Sequence, residues 1–363
     1  MSSLIVEVCK IDGIEKHGNA DTLEVIQVKG WNVISKMGQY KVGDLVIFIP
    51  PDSIIPQEMI EKYELTYMKN GGRIQTVKLR GVISQGLILP CPKGYEKVGT
   101  DVSKTLGITK WQPPEPNFYF GGNQVSKKKI NPLFDRYTEI ENIKNFSSVF
   151  SENDNVVMLE KIHGTNARFG NIPIGTNEMG SFLYQIVSWF KKNILKHEFE
   201  FVYGSHNVQK SGSDNPQHFY GEDVWGKVAK KYDLANRLPN NLIFYGEIAG
   251  EGIQDLTYSL KQHELFIFDV KDVRTGKYLN WYDVEILCGS LKLNHVPVLY
   301  EGNYSEEIRK EYTVGKSVID GKTIREGVVV KPLIEENDRK IGRKILKSVS
   351  EEYLLRKNGT EFK

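Results

Sequence analysis

From residue 4 to about 110 the apolar positions come in short runs, clearest at 23–28, 45–49 and 86–89, broken by Gly18-Asn19, Gly43-Asp44, Gly71-Gly72 and Gly81. Short strands with turn residues at this spacing predict a small, nearly closed β-barrel. The pattern changes between Trp111 and Lys129. Pro113-Pro114-Glu115-Pro116 is stiff, Gly121-Gly122 loosens the chain, and Lys127-Lys128-Lys129 closes a stretch that reads as a linker. Residues 132–150 then predict a short helix. Helical spacing recurs over 182–194, where Phe182, Leu183, Ile186, Val187, Phe190 and Ile194 form one stripe, and further helices are expected over 221–234, 282–293 and 350–356. Between them lie apolar runs of strand length at 156–159, 202–203, 242–247, 265–270, 326–331 and 345–347. Runs of strands interspersed with helices predict an α+β second half.

Composition narrows the class without naming the chemistry. The chain has 363 residues, room for about two domains, with boundaries expected at 1–112 for the barrel, 113–128 for the linker and 129–363 for the second domain. It is 40% hydrophobic and 26% charged, with a net charge of +2, so any basic surface is local. Cys9, Cys91 and Cys288 are far apart in sequence, which argues against a disulfide framework or a cysteine zinc site and suits a reducing, cytoplasmic setting. The first residues lack the pattern of a signal peptide, and the apolar stretch at 182–195 is too short and too charged to span a membrane.

Candidate chemistry begins with Lys161-Ile162-His163-Gly164-Thr165-Asn166, which follows the apolar strand 156–159. Gly164 permits a tight turn that sets Lys161 at the mouth of a pocket. Such a lysine is an amine nucleophile or a salt-bridge partner. As a nucleophile it must lose a proton from a reference pKa of about 10.4, which takes desolvation, a neighbouring cation or a metal. Downstream, Glu247 and Glu326 stand at strand edges, Phe268 offers a flat apolar face, and Lys331 and Lys347 lie on the last strands. Lysines and a divalent cation held by carboxylates suit attack on an α-phosphate, where charge builds on phosphoryl oxygens, and a purine needs a surface such as Phe268. Walker and Rossmann glycine loops are absent. Taken singly, an acid at a strand end is most often a surface residue and a buried phenylalanine is most often core.

The ordered series resembles the covalent nucleotidyltransferases, the polynucleotide ligases and capping enzymes. It runs Lys161-Ile162-His163-Gly164, Tyr245-Gly246-Glu247, Phe268-Asp269, Glu326-Gly327-Val328-Val329-Val330-Lys331 and Lys347. Glu160 to Asn166 is similar to the nick-sealing RNA ligases in which histidine replaces the aspartate of the usual Lys-x-Asp-Gly motif. An N-terminal barrel is a feature of the Deinococcus-type and Naegleria-type RNA ligases, and Ala20-Asp21-Thr22-Leu23 with Tyr40-Lys41-Val42-Gly43-Asp44 also resembles barrels attached to tRNA synthetases. The implied fold is an OB-type β-barrel followed by an α+β nucleotidyltransferase domain of the ATP-grasp-like ligase adenylation type. Lys78 and Arg80, beside Tyr67, are candidates for contacts to a nucleic-acid backbone and base.

The resemblance implies an ATP-dependent RNA ligase that joins 3′-OH and 5′-phosphate ends through lysyl-AMP, using Mg2+ or Mn2+ and acting as a monomer. Lys161 would carry AMP. Glu160, Ile162, Gly164, Asn166 and Phe268 would surround the nucleotide, Glu247 would bind the ribose or a water of the metal, Glu326 would hold the metal's waters, Lys331 and Lys347 would contact the α-phosphate, and His163 would serve the later steps. Two departures stand out. Ile345 occupies the first of two lysine positions in the last motif, leaving Lys344 or Lys331 to supply that charge. The second motif is indistinct, with Lys210 as its candidate. A capping guanylyltransferase, a DNA ligase and a non-catalytic RNA-binding protein with a degenerate ligase fold are the alternatives.

Overall fold

The computed structural model describes residues 4–65, 72–112, 119–120, 123–124, 131–174, 189, 198–211 and 223–357. The chain forms two compact units. One gathers residues 1–116, 141–149 and 351–363, and the other residues 117–140 and 150–350. Among the described residues no helix is long and apolar enough to cross a membrane.

The first unit is built on short antiparallel strands. Strand β1 (Glu7–Lys10) pairs with β5 (Leu45–Ile49), which pairs in turn with β8 (Leu87–Pro90), while β2 (Gly13–Lys16), β3 (Leu23–Val28) and β4 (Trp31–Lys36) make a three-stranded meander. A hairpin, β6 (Thr76–Leu79) and β7 (Val82–Gln85), and helix α1 (Gln57–Lys62) complete the barrel elements. Val8, Ile47, Ile49 and Leu89 belong to one apolar cluster, and Ile26, Val28, Trp31 and Phe48 to another. Neighbouring positions of β5 thus feed opposite clusters, as the two-residue period of a strand requires. Two distant segments belong to this unit as well. Trp31 Nε1 donates to Asn145 Oδ1 (3.1 Å), Lys110 pairs with Glu141 (2.5 Å), and Lys78 Nζ donates to the Leu355 carbonyl (3.2 Å).

The second unit is built on two larger sheets, mainly antiparallel. The first runs β16 (Leu346–Val349), β15 (Gly327–Pro332), β9 (Asn155–Glu160), β14 (Val298–Asn303). The second runs β11 (Phe199–Gly204), β10 (Thr165–Pro173), β12 (Leu242–Ala249), β13 (Glu264–Asp272). Val157 and Leu159 of the first sheet share a core with Phe169, Phe244 and Ile267 of the second. Helix α2 (Val224–Lys231) adds Val224, Trp225 and Val228 to that core, and α3 (Trp281–Ser290) adds Trp281, Val284 and Cys288. Asp223 caps α2 by accepting from Gly226 N–H (3.0 Å), and Ser305 caps α4 (Glu306–Thr313) through Ile308 N–H (3.1 Å). The last helix, α5 (Glu351–Leu355), belongs to the first unit.

The helix expected over 132–150 does not form. Residues 132–140 contain no helix or strand, and a single 3-10 turn spans Ile143–Asn145. Phe134 and Tyr137 pack in a cluster of the second unit, whereas Ile143 and Phe146 are buried within a segment of the first. The two pairs serve two separate cores. Of the helix expected over 221–234, residues 224–231 form α2 and a separate short helix, Leu234–Arg237, begins at its end, while 221–222 lie outside the described residues. Apart from Trp189 the stripe at 182–194 lies outside the described residues, as do Tyr67, most of the linker and Lys127 to Lys129.

Candidate active site

Strand β9 ends at Glu160, so Lys161 emerges where the ladder stops, with its N–H bonded to the Gly327 carbonyl (3.0 Å). The turn that follows depends on glycine. A Cβ at Gly164 would lie 2.3 Å from the Ile248 carbonyl oxygen and 3.0 Å from Glu247 Cγ. Gly327 is constrained the same way, with φ 152° and the Ser348 carbonyl 2.0 Å from where a Cβ would be. Close backbone approach at these two glycines brings Glu247 and Glu326 up to the lysine.

Lys161 Nζ pairs with Glu326 Oε1 at 2.5 Å. Burial pushes the Glu247 carboxyl up to about 8, with Lys161 pulling it down, Glu326 adding to the rise and the Gly164 N–H opposing it. A carboxyl so displaced beside a lysine and a second acid is a candidate for a functional site. His163 lies beside the same pair. Its Nδ1 is 3.9 Å from Glu326 Oε2, its Nε2 is 2.8 Å from Asp255 Oδ1, and its backbone N–H donates to the Tyr258 hydroxyl (2.6 Å).

Of these residues, Lys161 and Glu247 line a cleft enclosing about 630 Å³ of space, open solvent included. Its polar lining is Glu160, Lys161, Asn166, Glu247 and Lys331. Phe268, Ile162, Val296, Val329 and Ile345 supply apolar walls. The register shift between Tyr245 and Gly246 leaves Phe268 as the extra residue of a β-bulge in β13. A bulge re-aims side chains, and here Phe268 is half-buried on the cleft while Asp269 beside it is fully buried. Tyr137 meets Phe268 edge-on, with ring centroids 4.8 Å apart.

Three polar atoms in this region are buried without a hydrogen-bond partner: Glu160 Oε1, Asn166 Oδ1 and Glu326 Oε2. Burying an acceptor unpaired is costly, so acceptors left this way on a cleft suit a ligand's donors or a cation. Burial raises the Glu160 carboxyl, Ser317 and the Val318 N–H drawing it back, and its Oε2 accepts from Val318 N–H (3.0 Å). Among the described residues no group of three or more His, Cys, Asp or Glu side chains is placed to hold a metal. Two carboxylates are enough for a magnesium-type ion, which keeps waters and takes further oxygens from phosphates.

Lys331 sits deeper than the sequence implied. It is 1% exposed and bonded to Asp269 Oδ1 (2.9 Å) and Glu335 Oε1 (3.0 Å). Arg343 donates to Asp269 Oδ2 (2.7 Å), to Glu335 and to the Tyr137 hydroxyl (3.0 Å), and Tyr137 donates to Asp269 Oδ2 (2.6 Å). Lys347 is opposite Val329, which is opposite Leu159, so register puts Lys347 on the face whose neighbours line the cleft. Lys344 is held elsewhere, by Asp154 (2.6 Å) and Glu336 (3.2 Å). Lys210 lies over the Trp225 ring at 4.8 Å, with burial lowering its ammonium and Asp223 opposing, and neither Lys344 nor Lys210 lines the cleft.

Tyr137, Glu335, Arg343, Asp255 and Tyr258 were not picked out in the sequence. They belong to no run or spaced motif, and only the tertiary contacts reveal them.

Comparison with known proteins bears on the fold and the family. No curated protein matches the chain significantly. Solved structures of Naegleria gruberi RNA ligase are similar in fold. The enzyme with PPi is 24% identical over 98% of each chain, with a TM-score of 0.65. A Lys-to-Ala variant with ATP and Mn is 24% identical over 96% of this chain and 98% of the other (TM-score 0.66), and a Lys-to-Met variant with AMP and Mn is also similar (TM-score 0.65). An OB-fold domain model matches residues 5–91, which assigns the barrel expected from its strand pattern. A model described as RNA ligase matches residues 154–349, more than half of the 363-residue chain and the whole stretch from β9 to β16, and the chain therefore belongs to the RNA ligase family.

Proposed function

We propose that this RNA ligase is ATP-dependent and joins 3′-OH to 5′-phosphate RNA ends through AMP carried on Lys161. The observation that carries the reading is the pairing of Lys161 with Glu326, beside a Glu247 carboxyl pushed up to about 8, at the mouth of a cleft with an aromatic wall. The Naegleria gruberi enzyme has been solved with PPi, with ATP and Mn and with AMP and Mn, which suits a nucleotidyl-transfer cycle in the same fold.

The chain's own residues divide the work. Lys161 attacks the α-phosphorus of ATP; the Nζ–P bond forms, the bond to the β-phosphate oxygen breaks, and pyrophosphate leaves. For that attack Nζ must be neutral, and the Glu326 carboxylate at 2.5 Å is placed to take its proton. Phe268 offers the base a stacking face, while Asn166 and Glu160 present acceptors to donors of the nucleoside. Lys347, on a strand bordering the site, supplies positive charge against the charge that builds on phosphoryl oxygens, whereas the charge of Lys331 is matched by Asp269 and Glu335. Glu247 and Glu326 would hold a divalent cation, whose chemistry here is charge neutralisation at the phosphates. AMP then passes to a 5′-phosphate, and a 3′-hydroxyl displaces it to close the strand.

The test is incubation with ATP labelled at the α-phosphate, followed by a nicked RNA duplex. Wild type is expected to acquire label and seal the nick. Lys161→Ala is expected to do neither. Retained covalent label in that variant contradicts the assignment, and preferential labelling by GTP points to capping chemistry.

A further inference from the structure

The loop between β12 and β13 bears no motif, yet it makes two hydrogen bonds to His163. The Asp255 carboxylate lies 2.8 Å from Nε2 of the ring, and the Tyr258 hydroxyl accepts the backbone N–H at 2.6 Å. Ring and backbone are thus held from one side by residues 92 and 95 positions away in sequence.

The loop accepts strain to do so. Tyr258 and Ser259 both have left-handed backbones, with φ 52° and 56°. Left-handed conformation is disfavoured for an L-residue, and two consecutive non-glycine examples are unusual. Burial of the Tyr258 ring, 1% exposed within the main core cluster, and the bond from Ser259 Oγ to Asp320 Oδ2 (2.9 Å) keep the pair in place. Strain held by over-determined packing recurs at functional sites. Here it presents a hydroxyl and a carboxylate to one histidine.

Orientation follows from hydrogen-bond chemistry. An ionised carboxylate only accepts, so the bond to Asp255 puts a proton on Nε2. The ring's other nitrogen is then turned toward Glu326 Oε2, 3.9 Å away and without a hydrogen-bond partner, whose companion oxygen pairs with Lys161. Asp255, His163, Glu326 and Lys161 form a continuous chain of side chains leading into the cleft.

We propose that Asp255, assisted by Tyr258, is a positioning residue for His163, fixing the ring orientation that the sealing chemistry uses. The inference rests on the ligase reading above and assigns a role to a loop which that reading leaves unused. Asp255 touches no reacting atom; it acts through the imidazole.

A double-mutant cycle tests this in the full-length protein. The single-turnover sealing rate on a pre-adenylated nicked RNA duplex is measured for wild type, Asp255→Ala, His163→Ala and the double variant, with Asp255→Asn and Asp255→Glu alongside. Asp255→Ala is expected to lower the rate about tenfold when His163 is present and less than about twofold when it is not, because residues acting as one unit are not additive. The KM for the nick should hold, and Asp255→Glu should recover more of the rate than Asp255→Asn. Equal losses in both backgrounds mean that Asp255 acts through general stability, and overturn the proposal even if Asp255→Ala melts early. A wild-type rate for Asp255→Ala overturns it too. Failure of wild type to seal any nick would instead overturn the ligase reading, and the inference with it.

Discussion

Lys161 and Lys331 are both lysines at carboxylates in the same unit, but their surroundings differ in kind. Lys331 is bonded to Asp269 and Glu335, and Arg343 and Tyr137 occupy the other Asp269 oxygen. Burial opposes ionisation of Asp269, yet Arg343 and Lys331 prevail and hold its carboxyl below the usual range. Around Lys161 the accounting is incomplete. Its partner Glu326 keeps one oxygen unbonded, Asn166 and Glu160 each keep another, and Glu247 is pushed toward its neutral form. A satisfied buried network fixes structure, whereas one with orphaned acceptors on a cleft is shaped for a ligand. The two lysines thus illustrate why residue type alone does not identify a catalytic group.

The sharpest way to break this contrast is to neutralise each cluster and ask what is lost. Glu326→Gln and Glu247→Gln should each reduce formation of enzyme-AMP by about 10–100-fold, with little change in melting temperature. Near-normal labelling with a lowered melting temperature would make either carboxylate structural. Asp269→Asn should do the reverse in emphasis. Removing one charge from a buried pair costs about 3–5 kcal/mol, a fall of roughly 10 °C in melting temperature for a unit of this size, measured by calorimetry. An unchanged melting temperature would remove Asp269 from the fold's support.

The same network sharpens the comparison through pH. Because the Asp269 carboxyl is depressed in the folded state, its stabilisation is fully present above the unfolded value of about 3.9 and is lost as pH falls through the lower folded value. Unfolding free energies of wild type and Asp269→Asn should therefore differ steadily from pH 7 to about 4 and converge below it. A gap that closes near pH 6 would contradict the direction of the shift. The smallest effect is expected at Lys344, whose pair with Asp154 is partly exposed. Lys344→Ala should cost about 1 kcal/mol or less. A tenfold loss of enzyme-AMP at unchanged stability would place its charge at the phosphate instead.

The strands that carry the two lysines were legible in the sequence, for reasons that the structure makes plain, but the contrast between them was not. Lys161, Glu247, Phe268, Glu326 and Lys331 lie in or beside apolar strands, and strand runs such as 23–28 and 45–49 match the ladders closely because burial writes a short-range pattern. Contacts that join distant segments left no such trace. Tyr137 reaches Asp269 across 132 positions and Arg343 reaches Tyr137 across 206. The burial of Lys331 follows from partners that periodicity cannot show, and the bulge at Phe268 is a one-residue irregularity inside a run that reads as uniform. Segment 132–150 failed as a helix for a related reason, since its apolar residues answer to two cores.

The central claim is that the lysine beside the orphaned acceptors, and not the buried one, carries the nucleotide. Peptide mapping by mass spectrometry after reaction with ATP and a divalent cation tests it directly. The account predicts one AMP adduct, on Lys161, as an acid-labile phosphoramidate that pyrophosphate reverses. An adduct on Lys331, Lys347 or any other residue, or none on a folded chain, would contradict it.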